Sequence, residues 1–284
     1  MTATWRIDAH QHFWSLARGD YGWLTPDLAP LYRDFGPTDL QPLLAANNVR
    51  GTVLVQAAPT LAETQWLLRL AAQHDLVRGV VGWVDLAAPG AVDTLASLAA
   101  NPLLKSVRPM LQDLPDPAWI ATAPIAPAVR ALVQHGLRFD ALVKPPHLPH
   151  LLAFAERHPA LPIVIDHAAK PDIAHGGFAA WRRDLAALAR LPAVHCKLSG
   201  LATEAGPGWS VATLRPYAET VLELFGPQRV IWGSDWPVLQ LAGDYAGWVL
   251  ACEQLLAPLD AADRHAVWAG NAERFYRLDG VTPL

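Results

Sequence analysis

The chain has 284 residues, of which 52% are hydrophobic, and a formal net charge of −4 at pH 7. Its length suits a single α/β domain over residues 1–284, since no Ser- or Gly-rich linker or charge run marks a boundary. The mild acidity argues against a nucleic-acid partner, and no apolar run approaches the ~18 residues of a membrane span.

Short apolar runs alternate with segments of helical periodicity along the whole chain. Three of the runs, at 52–55, 163–165 and 230–232, are rich in β-branched residues, which favours strands. We predict eight strands, near residues 5–10, 51–57, 79–85, 104–110, 138–144, 162–167, 194–199 and 229–234.

Helical patterns occupy the intervals between these strands. Thr60 and Glu63 fit a capping box at the start of a helix that continues to Ala71. Gly136 is a suitable left-handed cap at the end of another helix. The other helices are predicted near residues 38–47, 90–100, 125–135, 148–157, 177–190, 211–225 and 244–256, with a terminal pair from 259 to 277.

The alternation of eight strands with helices predicts parallel strands joined by right-handed crossovers. A count of eight favours a closed (β/α)8 TIM barrel over an open doubly wound sheet. No Gly-x-Gly-x-x-Gly follows the first strand to indicate a dinucleotide-binding fold. Since barrel enzymes carry their chemistry at the C-terminal ends of the strands, residues at the predicted strand ends are the functional candidates.

Two histidines stand at the end of the first predicted strand. Residues i and i+2 of a strand share a face, so His10 and His12 should point the same way, with Asp8 below them. Two imidazoles at one strand end can bind a metal ion or polarise a substrate oxygen. A pair of surface histidines after an edge strand is the alternative interpretation.

Long polar side chains also end strands 2, 4 and 5, at Gln56, Arg108 and Lys144. An inward-pointing Arg108 needs an anionic or carbonyl partner, which could be a substrate or a carboxylate at the barrel mouth. Lys197 lies on strand 7, where it could bind substrate or pair with a carboxylate such as Asp8 or Asp140.

Strands 6 and 8 end in a histidine and a carboxylate. By alternation with Ile163 and Ile165, His167 should face the barrel interior and Asp166 should face the helices. Asp235 shares a face with Ile231 and Gly233, which directs its carboxylate inward at the top of strand 8. Lys170 follows in the loop after strand 6.

Two predicted loops are longer than the ~2–6 residues usual after a barrel strand. The first runs from Gln11 to about Pro37 and contains Phe13, Trp14, Tyr21 and Trp23. The second runs from Pro109 to Pro124. We expect both to cover the mouth, with Trp14 either in contact with substrate or plugging the barrel top.

Taken in order, these strand-end motifs resemble the amidohydrolase superfamily, and most closely its lactonase branch of L-fuconolactonases, L-rhamnonolactonases and pyrone dicarboxylate lactonase. The resemblance covers residues 5–278. It rests on His10-x-His12-Phe13-Trp14, Gln56-Ala57, Val107-Arg108-Pro109, Asp166-His167-x-x-Lys170-Pro171, Lys197-Leu198-Ser199-Gly200 and Gly233-Ser234-Asp235-Trp236-Pro237.

The resemblance implies ring-opening hydrolysis of a sugar lactone, of the L-fucono-, L-rhamnono- or L-galactonolactone type, to the aldonic acid. Few arginines can be placed at the mouth, which favours a neutral lactone over a dicarboxylate. Superfamily members with two metals use a carboxylated lysine after strand 4, where this chain has Arg108. We therefore expect either one divalent, zinc-like metal ion or none.

We expect Asp235 to be the general base that activates water and then reprotonates the leaving alkoxide. His10, His12, His167 and Arg108 would stabilise the tetrahedral oxyanion. In a one-metal version, the three histidines and Asp235 would hold the ion. The candidates for binding the sugar are Trp14, Gln56, Lys144, Lys170, Lys197 and Trp236.

Two other functions remain open at this point. A metal-dependent, non-oxidative decarboxylase of aromatic acids would share the superfamily barrel, the strand-6 histidine and the strand-8 aspartate. A non-catalytic barrel that binds sugars or a protein is the alternative from another class, and it would require Asp235 to sit in a structural ion pair.

The beginning of the sequence and its cysteines bear on location. Residues 1–8 contain no basic segment followed by an apolar one, so we expect no signal peptide. Cys196 and Cys252 do not make a disulfide framework. These features predict a cytoplasmic protein.

Overall fold

Each strand of the sheet pairs in parallel with the next along the chain, in the order β1 to β8. Hence a helical crossover lies outside the sheet between successive strands, and the predicted (β/α)8 barrel is confirmed. The computed structural model describes residues 5–278. The strands are β1 Arg6–Gln11, β2 Val49–Val55, β3 Val77–Gly82, β4 Leu104–Val107, β5 Arg138–Ala141, β6 Ile163–Ile165, β7 Val194–Leu198 and β8 Val230–Trp232.

The barrel closes where the segment after β8 meets the end of β1. The backbone N–H of Asp235 donates to the carbonyl of His10 at 2.8 Å, and that of His12 donates to the carbonyl of Trp236 at 2.8 Å. Gly233 permits this approach, because a Cβ at that position would lie 2.7 Å from the His10 Cβ. The closure thus places Asp235 directly beside the two histidines of β1.

The long helices agree with the predicted ones to within one or two residues. Two short helices, α4 and α8, are additional, because a single helical turn leaves no periodicity to read in the sequence. The helices are α1 Pro37–Ala46, α2 Leu61–Ala71, α3 Ala91–Ala99, α4 Trp119–Thr122, α5 Ala126–Gln134, α6 Leu148–Arg157, α7 Phe178–Ala189, α8 Leu201–Ala205, α9 Val211–Phe225, α10 Tyr245–Leu256, α11 Ala261–His265 and α12 Asn271–Tyr276, with a π-helical turn at Ala266–Gly270.

The C-terminal helix covers the N-terminal end of the barrel. Phe275 and Tyr276 of α12 pack with the interior residues Ile7 and Ala9 of β1 and with apolar side chains of four other strands. The Arg138 guanidinium, at the start of β5, donates to the carbonyl of Phe275. This end of the barrel is therefore filled, which leaves the opposite end for ligands.

The prediction that Asp8 lies below His10 on one face is wrong. The pairing of β1 with β2 shifts register between Asp8 and Gln11, which breaks the strict alternation of the strand. The Asp8 carboxylate instead accepts hydrogen bonds from the Ser234 hydroxyl at 2.6 Å and from the Tyr245 hydroxyl, at the start of α10, at 2.9 Å. Asp8 thus links the segment that follows β8 to helix α10, which lies outside the barrel.

Residues 1–4 and 279–284 lie outside the described residues. The expectation of no signal peptide was drawn from residues 1–8, so half of that segment lies outside the described residues. Of the helices between residues 5 and 278, none carries an apolar stretch that could cross a lipid bilayer.

The start of α2 has half of the predicted capping box. The Thr60 hydroxyl accepts from the Glu63 backbone N–H at 3.0 Å, as predicted. The Glu63 carboxylate does not bond back to Thr60 but accepts from the backbone N–H groups of Ala57 and Ala58. Glu63 therefore fixes the loop that follows β2, next to the barrel mouth.

Thr60→Ala should lower the free energy of unfolding by ~1 kcal/mol, because the first turn of α2 loses its side-chain acceptor. Thr60→Ser keeps the oxygen and should lose much less. Chemical denaturation of the three proteins measures the difference, and equal stability of the alanine and serine variants would contradict a capping role.

Candidate active site

Three histidines and one aspartate meet at the open end of the barrel. The Asp235 Oδ1 atom lies 3.3 Å from Nε2 of His12, 3.7 Å from Nε2 of His10 and 3.8 Å from Nε2 of His167. All four side chains are buried. The structure thus brings together the four residues predicted from the ends of strands 1, 6 and 8.

His12 has a defined tautomer when its ring is neutral. Its Nδ1 lies 2.8 Å from the carbonyl oxygen of Val55, which can only accept, so Nδ1 carries the proton. The unprotonated Nε2 then faces the Asp235 carboxylate, with one acceptor opposite another. A proton or a cation between these two atoms removes the repulsion.

His167 is presented by a strained turn. Four consecutive residues from His167 to Lys170 have φ values between 49° and 62°, in the left-handed region. Such a conformation costs ~1–2 kcal/mol per residue for non-glycine side chains. It is held by a bond from the Lys170 N–H to the His167 carbonyl and by the Trp181 indole N–H, which donates to the Ala168 carbonyl at 2.7 Å.

This turn overturns the prediction that Asp166 faces the helices. The strand ends at Ile165, so alternation no longer applies, and both Asp166 and His167 enter the barrel. Asp166 is fully buried, with its Oδ2 3.3 Å from the Arg108 Nη1. Sequence reasoning missed this residue, although a carboxylate after three apolar strand residues signals a buried partner.

A charged cluster lies beneath the three histidines. Lys197 is fully buried, with Nζ 2.6 Å from Asp140 Oδ2 and 3.0 Å from Asp166 Oδ1. Burial raises the pKa of Asp166, but Lys197, His10 and Arg108 outweigh burial and hold it well below its usual range. Lys197 therefore lies beneath the site and pairs with carboxylates there. Of the two roles predicted for it, this is the pairing with a carboxylate rather than the binding of substrate.

Arg108 stands beside this cluster and reaches the cavity. Its Nη1 lies 3.3 Å from the His10 Nε2, and its Nη2 donates to the backbone carbonyl of Gln56. In return, the Gln56 side-chain amide donates to the Arg108 carbonyl at 2.7 Å. The Gln56 amide nitrogen is thus engaged in holding Arg108, while Arg108 itself faces the ligand space.

A cavity of about 180 Å³ opens above the four converging residues. Its apolar wall comes from residues of four different loops: Trp23, Met110, Leu142 and Val238. Its polar lining comprises His12, Arg108, His167, Lys170 and Asp235, together with Gln112 and Asp113. A half-apolar cleft with converging polar groups on one side is a typical small-molecule site.

Two of the predicted sugar-binding aromatics lie behind this cavity. Trp14 and Trp236 are almost fully buried, and both pack edge-to-face against Phe35 at 5.3 Å between ring centroids. The Trp14 indole N–H donates to the Arg33 carbonyl at 2.8 Å. Trp23, 36% exposed, contacts Trp14 and is the tryptophan that lines the cavity.

The remaining candidate, Lys144, is exposed and lies further out. It lines an outer cleft of about 660 Å³ together with Lys170 and Glu204. Lys170 borders both spaces, and its Nζ lies 3.9 Å from Glu204 Oε1. The structure therefore places Lys170 at the cavity and Lys144 outside it.

The charge states follow from burial and from neighbouring groups. Burial raises the pKa of Asp235, but the imidazoles of His167, His12 and His10 outweigh burial and hold it well below its usual range. Burial lowers the pKa of His167 to about 4, against the pull of Asp235 and Asp166. At neutral pH the site therefore presents an ionised carboxylate beside a neutral His167.

The donor set is compatible with one divalent metal ion. Nε2 of His12 is unprotonated and faces Asp235 Oδ1, and imidazole nitrogen with carboxylate oxygen is a donor set that zinc prefers. His10 completes a set of three, because the donor atoms of His10, His12 and Asp235 all lie within 4.8 Å of one another. His167, the fourth predicted ligand, groups instead with His10 and Asp166.

Comparison with known proteins decides the family. The model of the amidohydrolase family matches residues 7–278. The chain belongs to the amidohydrolase family. This finding confirms the resemblance inferred from the strand-end motifs.

Two similar curated proteins and a similar crystal structure come from the genus Burkholderia. The chain is 52% identical over 280 residues to an L-fucono-1,5-lactonase of Burkholderia ambifaria, with 97% of each chain covered. It is 40% identical over 285 residues to an L-fucono-1,5-lactonase of Burkholderia multivorans, with 96% of each covered. A crystal structure of a Burkholderia multivorans amidohydrolase with bound zinc is also similar, at 40% identity and a TM-score of 0.89, covering 96% of this chain and 99% of that one.

Gly200 provides a test of how tightly His167 must be placed. It has φ +68°, and a Cβ there would lie 2.7 Å from His167 Nδ1 and 2.8 Å from its Cβ. Gly200→Ala should therefore displace the imidazole and lower kcat/KM by about 100-fold, the effect of a displacement near 1 Å.

Gly208→Ala is the matched control, since Gly208 has φ +81° but open space around its Cβ position. Both substitutions strain the backbone alike, and the contact with His167 is the difference. Steady-state kinetics on a hydrolysed lactone would measure it. Similar kinetic losses in both variants would contradict a specific role of Gly200 in seating His167.

Proposed function

We propose that this protein hydrolyses the ester bond of a sugar lactone, with L-fucono-1,5-lactone as the leading substrate. The two curated relatives with 52% and 40% identity are both L-fucono-1,5-lactonases. Their similarity extends over 97% and 96% of this chain. The sequence-based prediction of a lactone-hydrolysing enzyme is thereby confirmed, and the choice of lactone is the proposal.

The convergence of three imidazoles on the Asp235 carboxylate carries the mechanism. Asp235 takes a proton from water as the water oxygen bonds to the lactone carbonyl carbon. The negative charge that develops on the carbonyl oxygen is stabilised by the N–H donors of the Arg108 guanidinium, which lines the cavity. When the ring C–O bond breaks, Asp235 returns its proton to the leaving ring oxygen, which yields the open hydroxy acid.

The cavity suits a small and initially neutral ligand. Its volume of about 180 Å³ is below the ~300–1,000 Å³ usual for drug-sized ligands and fits a single sugar ring. The positive groups Arg108 and Lys170 share the lining with the negative groups Asp113 and Asp235, which leaves no excess positive charge for a dicarboxylate. We therefore propose a neutral lactone, whose new carboxylate Lys170 can receive.

A divalent ion at this site is a further part of the proposal. His10, His12 and Asp235 would hold it, since their donor atoms lie within 4.8 Å of one another, and such an ion lowers the pKa of a bound water and polarises a carbonyl. A zinc-bound crystal structure exists for a relative with 40% identity. Without an ion, the same three side chains would bind and orient the water by hydrogen bonding.

The alternative functions receive less support. A decarboxylase of aromatic acids would also fit a strand-6 histidine and a strand-8 aspartate, but the relatives with high identity are lactonases. A non-catalytic barrel required Asp235 to be held in a structural ion pair. Asp235 instead lines the open cavity beside three histidines. The cytoplasmic location stays a prediction.

Asp235→Asn should reduce kcat for L-fucono-1,5-lactone by ~100-fold or more, the usual contribution of a general base, because an amide cannot accept the proton of water. Asp113→Asn removes an equal charge from the rim of the same cavity and should change kcat little. A pH-indicator assay over a panel of fucono-, rhamnono- and galactonolactones measures both. Near-normal turnover by Asp235→Asn would refute its role as the base.

Zinc titrated into chelator-treated protein should bind with about one equivalent per chain, as expected for one closed set of ligands. Mutating a residue that only hydrogen-bonds to a metal ligand typically weakens metal binding by ~10- to 100-fold. His12→Gln removes a ligand itself and should therefore weaken zinc binding by more than that. His147→Gln is the control, because the ring of His147 is buried against the Leu111 carbonyl, away from Asp235. Calorimetry that detects no zinc binding by the wild type would exclude the metal site.

A further inference from the structure

Lys170 borders two spaces at the open end of the barrel. It lines the cavity of about 180 Å³ together with Asp235, and it lines the outer cleft of about 660 Å³ together with Glu204. Its backbone is fixed by the left-handed turn that presents His167, through the bond from its N–H to the His167 carbonyl. Because a lysine stem is flexible, the ammonium on this fixed backbone can turn toward either space.

The ammonium of Lys170 has donors that no protein group uses. Its Nζ lies 3.9 Å from Glu204 Oε1, which is too long for a hydrogen bond. Between residues 5 and 278, we find no hydrogen bond from its three N–H donors to another residue. The side chains of the pair are 21% and 27% exposed, and partly solvated ion pairs are weak. An anionic ligand can therefore take this ammonium from Glu204.

Arg108, the other cation that lines the cavity, is already engaged with the protein. Its Nη1 lies 3.3 Å from the Asp166 carboxylate, and its Nη2 donates to the Gln56 carbonyl. A ligand with a full negative charge would have to share Arg108 with Asp166. Lys170 is thus the cation of the cavity that is better placed to pair with an anion.

The proposed reaction creates such an anion. Water adds across the ester C–O bond of a neutral lactone, and the carboxylic acid that forms loses its proton to solvent at neutral pH. The new carboxylate arises beside Asp235, which is itself ionised, and two like charges at one site repel. A cation at the border of the cavity therefore stabilises the bound ligand after ring opening and not before it.

Glu204 is placed to oppose this binding. It lies on α8 and lines the outer cleft but not the cavity that contains Asp235. Its backbone N–H donates to the Gly200 carbonyl at 3.2 Å, which fixes the start of the helix. The Glu204 carboxylate attracts the Lys170 ammonium from the outer side, so that the product carboxylate has to compete with it.

We propose that Lys170 binds the carboxylate of the open hydroxy acid and not the lactone, and that Glu204 is a positioning residue that competes for the Lys170 ammonium and so weakens product binding. This inference rests on the proposed lactone hydrolysis. It adds that two residues at the border of the outer cleft distinguish the product from the substrate by charge.

Inhibition of L-fucono-1,5-lactone hydrolysis by added L-fuconate measures product binding. Lys170→Met should raise the inhibition constant Ki by ~10-fold or more, the usual effect of losing a hydrogen bond to a charged group. KM for the neutral lactone should change much less. Lys144→Met is the matched control, because Lys144 lines the outer cleft but not the cavity, and its Ki should stay near that of the wild type. An unchanged Ki in Lys170→Met, or an equal rise of KM and Ki, would overturn the proposal.

L-fucitol tests whether Lys170 recognises charge. This neutral polyol has the hydroxyl groups of L-fuconate and a CH2OH group in place of the carboxylate. In the same assay, its Ki should be equal in the wild type and Lys170→Met, or too high to measure in both. A loss of L-fucitol binding as large as that of L-fuconate would assign Lys170 to the sugar hydroxyls and overturn the proposal.

Glu204→Gln should lower the Ki for L-fuconate by ~2- to 5-fold, the size of a partly exposed ion pair, and leave KM unchanged. Asp184→Asn is its control, since Asp184 lines the same cleft but pairs with Arg183 at 2.8 Å. A Ki that is unchanged or higher in Glu204→Gln would refute its role.

The double variant Lys170→Met/Glu204→Gln tests whether Glu204 acts through Lys170. Its Ki should equal that of Lys170→Met, because the competition has no object once the ammonium is gone. A further decrease as large as that in Glu204→Gln alone would mean that Glu204 repels the product directly and would refute the positioning role. Absence of lactone hydrolysis by the wild type would refute the proposed function and this inference with it, whereas hydrolysis with a Ki insensitive to Lys170→Met would refute the inference alone.

Discussion

The ion cluster of Lys197, Asp140 and Asp166 is the interaction on which the site depends. Removing three charged groups from water is costly unless each finds close partners, and here Lys197 serves both carboxylates at 3.0 Å or less. The Arg108 guanidinium supplies a second positive charge next to Asp166. The cluster occupies the level between the apolar floor, closed by α12, and the open mouth.

This cluster organises the groups above it through hydrogen bonds of fixed direction. Arg108 is held between Asp166 and the backbone of Gln56, and His10 is held by Lys197. Donors with such constraints need little rearrangement when charge develops on a substrate, which is the physical basis of electrostatic catalysis. The groups that meet the ligand are therefore set by residues that do not themselves line the cavity.

Backbone strain is concentrated at the same level. The left-handed residues from His167 to Lys170 and the left-handed Asp235, at φ +60°, all lie at the ends of β6 and β8. Non-glycine residues keep such conformations only where the surroundings hold them. Here, the Trp181 bond to Ala168 and the space left by Gly200 hold His167, while the bond from Asp235 N–H to His10 closes the barrel. These strained residues lower the stability of the fold, but they allow side chains from distant strands to converge.

The sequence by itself determined the eight-stranded barrel and the convergence of His10, His12, His167 and Asp235, because strand period and the common edge of parallel strands are local and topological rules. The tertiary structure alone decided the inward direction of Asp166 and the outward one of Asp8, since a left-handed turn and a register shift break the alternation on which the predictions rested. It also decided that Trp23 rather than Trp14 reaches the cavity, and that Lys197 lies beneath the site, because contacts between loops and between non-adjacent strands leave no periodic trace in the sequence.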